Sequence, residues 1–407
     1  MTNEKRELTR RKFISATALS TASISLAQIS PKPVNAQTSK DTSHESPIVR
    51  QLGRTKMKLP IVSMGVMNAN NPNLVEASYD LGVRHFDTAA FYQFGRNEQM
   101  VGNVIKRMGI RDKVNVATKI FHRQHREHTK PAEHKKEFLK AFEASLKRLN
   151  MDYVDILHLH GVRSAADLNI PGFMEAMALL KKQGKALAIG LSTHTAMADV
   201  LNEAARMDLY DVVLTSINVS MANDTNLMEA IKNAAEQGIG IVAMKTQAGG
   251  ARLPNKDIFK KYSSATINKA SLKWVLRNKH ITTAIPGYDN YEHMRENFSV
   301  AADLEYTAEE KKFLSDNEIK LSMSFCQQCR KCIASCPHRV EIPTLMRVYM
   351  YAAQYSNFHQ ARATISEIPR EQGLNLCSSC SLSSCQAQCH HYVDIPHRLD
   401  TLRQIYG

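Results

Sequence analysis

"KKEFLKAFEASLKRLNMDYVDILHLH", residues 135–160, joins two patterns whose alternation decides the architecture. The first part, 135–150, is an amphipathic helical stretch. The second, "VDILHLH" (154–160), is a short apolar run of β type. The same alternation extends in both directions. Upstream strand candidates are "IVSMG" (61–65), "RHFDTA" (84–89) and "VNVATKI" (114–120). Downstream are "ALAIGLS" (186–192), "VVLTSIN" (212–218), "GIVAMK" (240–245) and "TTAIPG" (282–287), with helical patterns such as "TNLMEAIKNAAEQG" (225–238) between them. Eight such strands, each followed by a helix, predict an α/β fold of the (β/α)8 TIM-barrel type over residues 49–318. A doubly wound sheet would place a Gly-rich phosphate loop after its first strand. "GVMNANNPN" carries no such loop. The opening "VRQLGRTKMKLP" (49–60) reads as a short hairpin covering the barrel floor.

In a barrel of this type, chemistry collects at the carboxyl ends of the strands. Reading those ends in order gives Asp87, Lys119, His160 and Ser192, and Tyr92 follows Asp87 closely in "DTAAFY". A carbonyl that accepts hydride needs a proton donor for the developing alkoxide. Tyrosine, with a pKa of about 10, exchanges its proton poorly near neutrality. A neighbouring ammonium favours tyrosinate and lowers that value, and a carboxylate holds the ammonium in place. Tyr92 is therefore the expected general acid/base, Lys119 its tuner, Asp87 the anchor and His160 the group orienting the substrate oxygen. His158 shares a strand face with His160 but lies deeper, which gives it a structural role. The plainer alternative is that Asp87 caps a helix and Tyr92 packs on the rim.

"FDTAAFY", "ATKI", "DYVDILHLHG", "GLSTH" and "AIPGYDNYEHMREN" occur in that order along the predicted barrel. Together they resemble the successive motifs of the aldo-keto reductase family, and the resemblance implies the same four roles and an NADPH or NADH cofactor. It places Ser192 at the nicotinamide carboxamide, with Thr193 where an Asn is usual and Asn218 where a Gln is common. Met244 stands in the place of an aromatic that stacks on the nicotinamide. Glu296 and Asn297 match the adenine side. Gly287 and His293 replace the Lys and Arg that many members use for the 2′-phosphate of NADP, and such recognition depends on charge-assisted donors. Lys245 and the following "AGG" are the expected source of new phosphate contacts. "HRQHREHTKPAEHKK" (122–136) reads as a solvated loop at the mouth, whose histidines also admit a metal site or attraction of an anionic substrate.

All eight cysteines lie between Cys326 and Cys389. "CQQCRKCIASCP" (326–337) is C-x2-C-x2-C-x3-C-P, the bacterial [4Fe–4S] run, whose fourth Cys serves the other cluster in two-cluster ferredoxins. A second set, Cys377, Cys380, Cys385 and Cys389, is spaced C-x2-C-x4-C-x3-C. In the crossed pattern Cys326, Cys329 and Cys332 share a cluster with Cys389, and Cys377, Cys380 and Cys385 share one with Cys336. "RVEIP" and "YVDIP" recur after the two sets, and the intervening "TLMRVYMYAAQYSNFHQARATISEI" is helical. Residues 319–407 therefore resemble an α-helical ferredoxin-like iron–sulfur domain. The second set has four residues where two are usual, and His390 replaces a proline. Zinc and disulfides are the alternatives that the spacing leaves open.

The N-terminus reads as an address. Paired Arg10 and Arg11 precede a modestly apolar, Ser- and Thr-rich run ending in "VNA" before Gln37. Residues 1–36 resemble a twin-arginine export signal, with 37–48 as a linker. That route carries proteins folded with their cofactors, which suits an exported iron–sulfur protein and predicts a periplasmic or otherwise exported location. The run is too polar for a stable membrane span. Of the formal net charge of +14, residues 1–36 contribute +4. The rest is spread without a basic stripe interleaved with aromatics, which argues against nucleic-acid binding. The sequence thus predicts an exported oxidoreductase that interconverts a small-molecule carbonyl and alcohol, coupled through its clusters to a redox partner protein. The alternative is an electron-transfer protein whose barrel is a docking or assembly scaffold.

Overall fold

The eight runs become eight parallel strands in one sheet: β1 (Met64–Gly65), β2 (His85–Asp87), β3 (Asn115–Phe121), β4 (Val154–Val162), β5 (Ala186–Thr193), β6 (Val212–Ser216), β7 (Gly240–Met244) and β8 (Thr283–Ala284). They neighbour one another in chain order. Parallel bridges Val62–Ala284 and Gly65–Gly287 bring the last strand back to the first. Ser63 N donates to Ala284 O at 2.8 Å across this seam. The computed structural model describes residues 46–121, 130–248, 261–316, 325–378, 380 and 383–407. The expected export signal and most of the linker lie outside those residues, as do His122, His125 and His128.

Helices α1 (Pro72–Leu81), α2 (Arg96–Met108), α3 (Pro131–Leu149), α4 (Pro171–Lys182), α5 (Met197–Arg206), α6 (Thr225–Glu236), α7 (Ser264–Leu276) and α8 (Tyr291–Phe298) surround the strands. Their ends follow local chemistry. Asn71 accepts from Asn73 N ahead of α1, and Pro72 occupies its first turn, where a missing N–H costs nothing. Pro131 likewise starts α3. This corrects the loop expected over 122–136, because His134 lies inside α3, buried, with its ring stacked on Phe173 at 5.0 Å. The strands are buried on both faces, as a covered parallel sheet requires.

The opening hairpin pairs Val49–Gln51 with Lys58–Pro60. It drives Leu52 and Leu59 into the barrel interior beside Ala117, Ile156, Ala188, Val212, Leu214 and Val242. A side chain at Gly240 would meet Leu52 Cδ1 at 2.6 Å, so glycine makes room for this plug. The amino-terminal end is thereby closed, and chemistry is left to the other end.

After α9 (Ala308–Ser315) the cysteine segment forms α10 (Lys331–Ala334), α11 (Ile342–Tyr349), a π-helical turn at Met350–Gln354, α12 (Phe358–Ile365), α13 (Ser384–Ala387) and α14 (Ile395–Tyr406). The stretch 344–368, expected to be helical, is so in pieces that part after the π turn, where Asn357 caps a new helix by accepting from Gln360 N at 3.0 Å. The internal repeat is structural. "RVEIP" and "YVDIP" lead into α11 and α14, and Arg339 and Tyr392 both adopt positive φ just before those helices. Ser335 Oγ donates to Ser384 O and Ser384 Oγ to Ser335 O, joining the two halves reciprocally. Val340, Ile342, Leu345, Val348, Val393, Ile395, Leu399 and Leu402 form a core of their own.

This segment packs over the carboxyl ends of the strands. Glu367 takes Arg163 of the barrel at 3.2 Å and Arg347 of α11 at 3.1 Å. Asn357 Nδ2 donates to Asn68 Oδ1, and Gln327 Nε2 to Ser220 O.

Inside the barrel, a Cβ on Gly190 of β5 would stand 2.5 Å from His158 Nδ1 and 2.8 Å from Val212 O. Gly190→Ala is expected to destabilise the fold by about 1–3 kcal/mol through overpacking. Thermal unfolding checks this as a fall of several degrees in midpoint.

Candidate active site and thiol module

Asp87 ends β2, Lys119 lies near the end of β3 and His160 near the end of β4, while Tyr92 sits in the loop after β2. The structure brings all four to one cavity at the barrel mouth, of about 160 Å³. Lys119 Nζ donates to the Asp87 carboxylate, to Thr88 O at 2.6 Å and to Tyr92 Oη at 3.4 Å. Lys119 is 1% exposed and Asp87 2%. Burial pushes the Asp87 carboxyl up and the Lys119 ammonium down, and each is held back by the other's charge. His160 meets the Tyr92 ring edge-on at 6.1 Å, whereas His158 is buried in the barrel interior.

The loop that carries Tyr92 is strained, with Gln93 and Phe94 at φ 52° and 56°. A buried network fixes it. Thr88 Oγ1 donates to Asn97 Oδ1 at 2.7 Å, and Asn97 Nδ2 donates to Val66 O at 2.8 Å. Glu98 of the same helix accepts from Thr118 and Arg148.

One electrostatic expectation is corrected. Lys119 was expected to lower the Tyr92 pKa, but burial, followed by the Asp87 charge, pushes it up. The ammonium is neutralised by its own carboxylate, so the phenol keeps its proton. That state suits a donor to a developing alkoxide.

The expected cofactor residues divide. Ser192, Met244, Lys245, Gly287, His293, Glu296 and Asn297 line the cavity. Ser192 Oγ accepts from Gly161 N at 3.0 Å, and Asn297 Oδ1 accepts from Gln247. Thr193 and Asn218 do not line it. Thr193 Oγ1 bonds to Val162 O, and Asn218 caps a short turn through Ser220 while donating to Lys245 O. Both are spent on backbone. The cavity still offers the Ser192 hydroxyl, Glu296 with Asn297, and the Lys245 cation, so the residues present fit a nicotinamide cofactor in part.

Sequence reasoning missed the roof. Tyr351, Tyr355 and Gln360 reach the same cavity from the cysteine segment, and His194 reaches it from the end of β5. His194 lay within the quoted "GLSTH", while no periodicity marks Tyr351 as a mouth residue. His194 is held well below its ordinary pKa by burial and the Lys245 charge, and Lys245 is brought down to about 7 by burial and Arg347. His194 and Lys245 also line a second, narrower cavity bounded by Cys326, Arg347, Met350 and Arg398.

Cys326 lies within electrostatic reach of Cys329 and Cys389, and Cys332 within reach of Cys326, Cys329 and also Cys385. Cys336, Cys377, Cys380 and Cys385 line a cavity of about 70 Å³. Arg398 of α14 lies within electrostatic reach of Cys326 and Cys389, and Arg403 donates to Cys377 O at 3.1 Å. Burial pushes the Cys326 and Cys377 thiols up to about 11 and Cys332 to about 12. Among the described residues, no three His, Cys, Asp or Glu gather as ligands of a single ion.

A parallel barrel with Tyr, Lys, Asp and His at its mouth defines a carbonyl oxidoreductase, the NAD(P)-linked class. A model of the Aldo/keto reductase family matches residues 62–263, and the barrel belongs to that family. L-galactose dehydrogenase of Arabidopsis thaliana is 26% identical over 305 residues, covering 66% of this chain and 93% of its own. L-glyceraldehyde 3-phosphate reductase of Escherichia coli O157:H7 is 23% identical, covering 67% and 94%. The holo form of an aldo-keto reductase from Bacillus halodurans superposes with a TM-score of 0.54 at 21% identity, covering 66% of this chain and 95% of that one, a likeness of fold. Each likeness covers only about two thirds of this chain.

In metal-free protein, exposed Cys329 and Cys380 are expected to be alkylated first and buried Cys332 last. Timed labelling followed by peptide mass spectrometry reads that order.

Proposed function

We propose that this chain is an exported oxidoreductase interconverting a carbonyl and an alcohol at Tyr92, with its eight cysteines holding two [4Fe–4S] clusters that exchange electrons with a partner protein. The observation that carries the coupling is the shared wall. His194 and Lys245 line both the cavity of the tetrad and the cavity that touches Cys326. The export half rests on Arg10 and Arg11, the modestly apolar run after them and "VNA" before Gln37.

What favours clusters over zinc is the cysteine spacing, C-x2-C-x2-C-x3-C-P at 326–337. Each cysteine of a [4Fe–4S] cluster holds its own iron, so the sulfurs stand farther apart than the ~3.8 Å edge of a tetrahedron with arms of ~2.3 Å around one zinc. Arg398 and Arg403 supply cations near an anionic group. Cysteines 326, 329, 332 and 389 would hold one cluster, and 336, 377, 380 and 385 the other. Binding would release the protons that burial now keeps on the thiols.

At the mouth, NADPH or NADH would supply hydride when bound, with Ser192, Glu296 and Asn297 as its contacts. Tyr92 donates its proton to the carbonyl oxygen, Lys119 and Asp87 hold the phenol in position, and His160 orients the oxygen from beside the ring. The hydride carries both electrons of the reduction, so the two one-electron clusters would serve only to return that pair to a nicotinamide that stays bound, or to take it up in the alcohol-to-carbonyl direction. The relatives named for L-galactose and L-glyceraldehyde 3-phosphate favour a small hydroxylated carbonyl compound.

Tyr92→Phe is expected to lower carbonyl reduction by about 10²–10⁴-fold, with thermal midpoint and nucleotide affinity unchanged. Retained electron flow through the clusters, with no carbonyl reduction in the native chain either, would favour the scaffold reading. Anaerobically prepared protein is expected to contain about eight irons per chain with matching labile sulfide. A chain lacking both removes the electron-transfer half.

A further inference from the structure

Two lysine–tyrosine pairs line the cavity at the barrel mouth. In the first, Lys119 Nζ stands 3.4 Å from Tyr92 Oη and 4.9 Å from the centre of its ring. In the second, Lys245 Nζ stands 3.4 Å from Tyr351 Oη and 4.7 Å from that ring centre. The geometry is shared but the charge is not. Lys119 is neutralised by Asp87. Lys245 has no carboxylate partner among the described residues, and its other contact is Met350 Sδ at 3.8 Å. The charged group within reach is Arg347, another cation, which is already paired with Glu367. Glu367 also holds Arg163. A largely desolvated cation on a cavity wall, with no counter-ion among the described residues, is costly unless a ligand brings the opposite charge.

We propose that Lys245 and Tyr351 form a subsite for an anionic group, carboxylate or phosphate, carried by the carbonyl substrate. This rests on reading the mouth as a carbonyl site, since both pairs line one cavity. Lys245 supplies the charge and Tyr351 a hydroxyl donor, which burial keeps protonated. Proton donation at Tyr92 has no use for a second pair. A neutral substrate would leave Lys245 uncompensated, whereas an anionic one fixes its distal end there and presents its carbonyl to the first pair. Tyr351 belongs to the π turn of the cysteine segment, so that segment would select the substrate as well as bear the thiols. A nucleotide phosphate is the other source of the same charge.

The test compares para-carboxybenzaldehyde with para-formylbenzamide, near-isosteres that differ in charge, on the full chain and on Lys245→Met, Lys245→Arg and Tyr351→Phe. Lys245→Met is expected to raise KM for the carboxylate about 10–100-fold and for the amide less than about 3-fold, the range of a charge-assisted hydrogen bond. Lys245→Arg should recover most of the loss, and Tyr351→Phe should show a smaller rise. Calorimetric titration with the two corresponding benzyl alcohols repeats the comparison without turnover. Selective loss of carboxylate binding there supports the subsite even if neither aldehyde is reduced, an outcome that faults only the carbonyl reading. Equal effects on the two compounds overturn the subsite. So does a loss confined to NADPH or NADH affinity, which assigns Lys245 to a cofactor phosphate.

Discussion

The ammonium of Lys119 is the point around which the mouth is built. It ties the end of β2, the carbonyl of Thr88 and the phenol of Tyr92 to β3 through one buried nitrogen. Removing either member of such a buried pair leaves an uncompensated charge, at a cost of about 3–5 kcal/mol. The strained residues after Tyr92 are tolerated because this nitrogen on one side, and Asn97 with Glu98 on the other, leave the loop no alternative path.

The hairpin seals one end of the barrel with Leu52 and Leu59, and the cysteine segment covers the other. The tetrad therefore works beneath a roof that is not part of the barrel. A roof supplied by the thiol-bearing segment places Cys326 within one wall of the tetrad's cavity, with His194 and Lys245 between them. Burial and the Lys245 charge hold His194 well below its ordinary pKa, while burial and Arg347 bring Lys245 down to about 7.

Much of the fold was legible because it depends on period and order. All eight strands fall where apolar β-type runs alternate with helical patterns, and the hairpin is where its turn residues place it. Asp87, Tyr92, Lys119 and His160 were legible as a group because strand ends converge in any such barrel. The direction of the Tyr92 shift was not, since it depends on how completely Asp87 cancels Lys119, which is a matter of distance and burial. Thr193 and Asn218 were placed by resemblance, yet their side chains serve local backbone groups that a motif does not reveal. Tyr351 was invisible for a different reason. Its position depends on docking between segments far apart in sequence, and that docking leaves no periodic trace.

The π turn at Met350–Gln354 has a consequence for how this chain tolerates change. Such a turn arises when a helix accommodates one extra residue, and each residue advances a helix by about 100°. Losing a single position there would restore an ordinary helix and swing the downstream aromatic Tyr355 away from the mouth, without altering any residue that touches substrate. Away from Tyr351 and Tyr355, side chains in this stretch are therefore freer to change identity than the stretch is to change length.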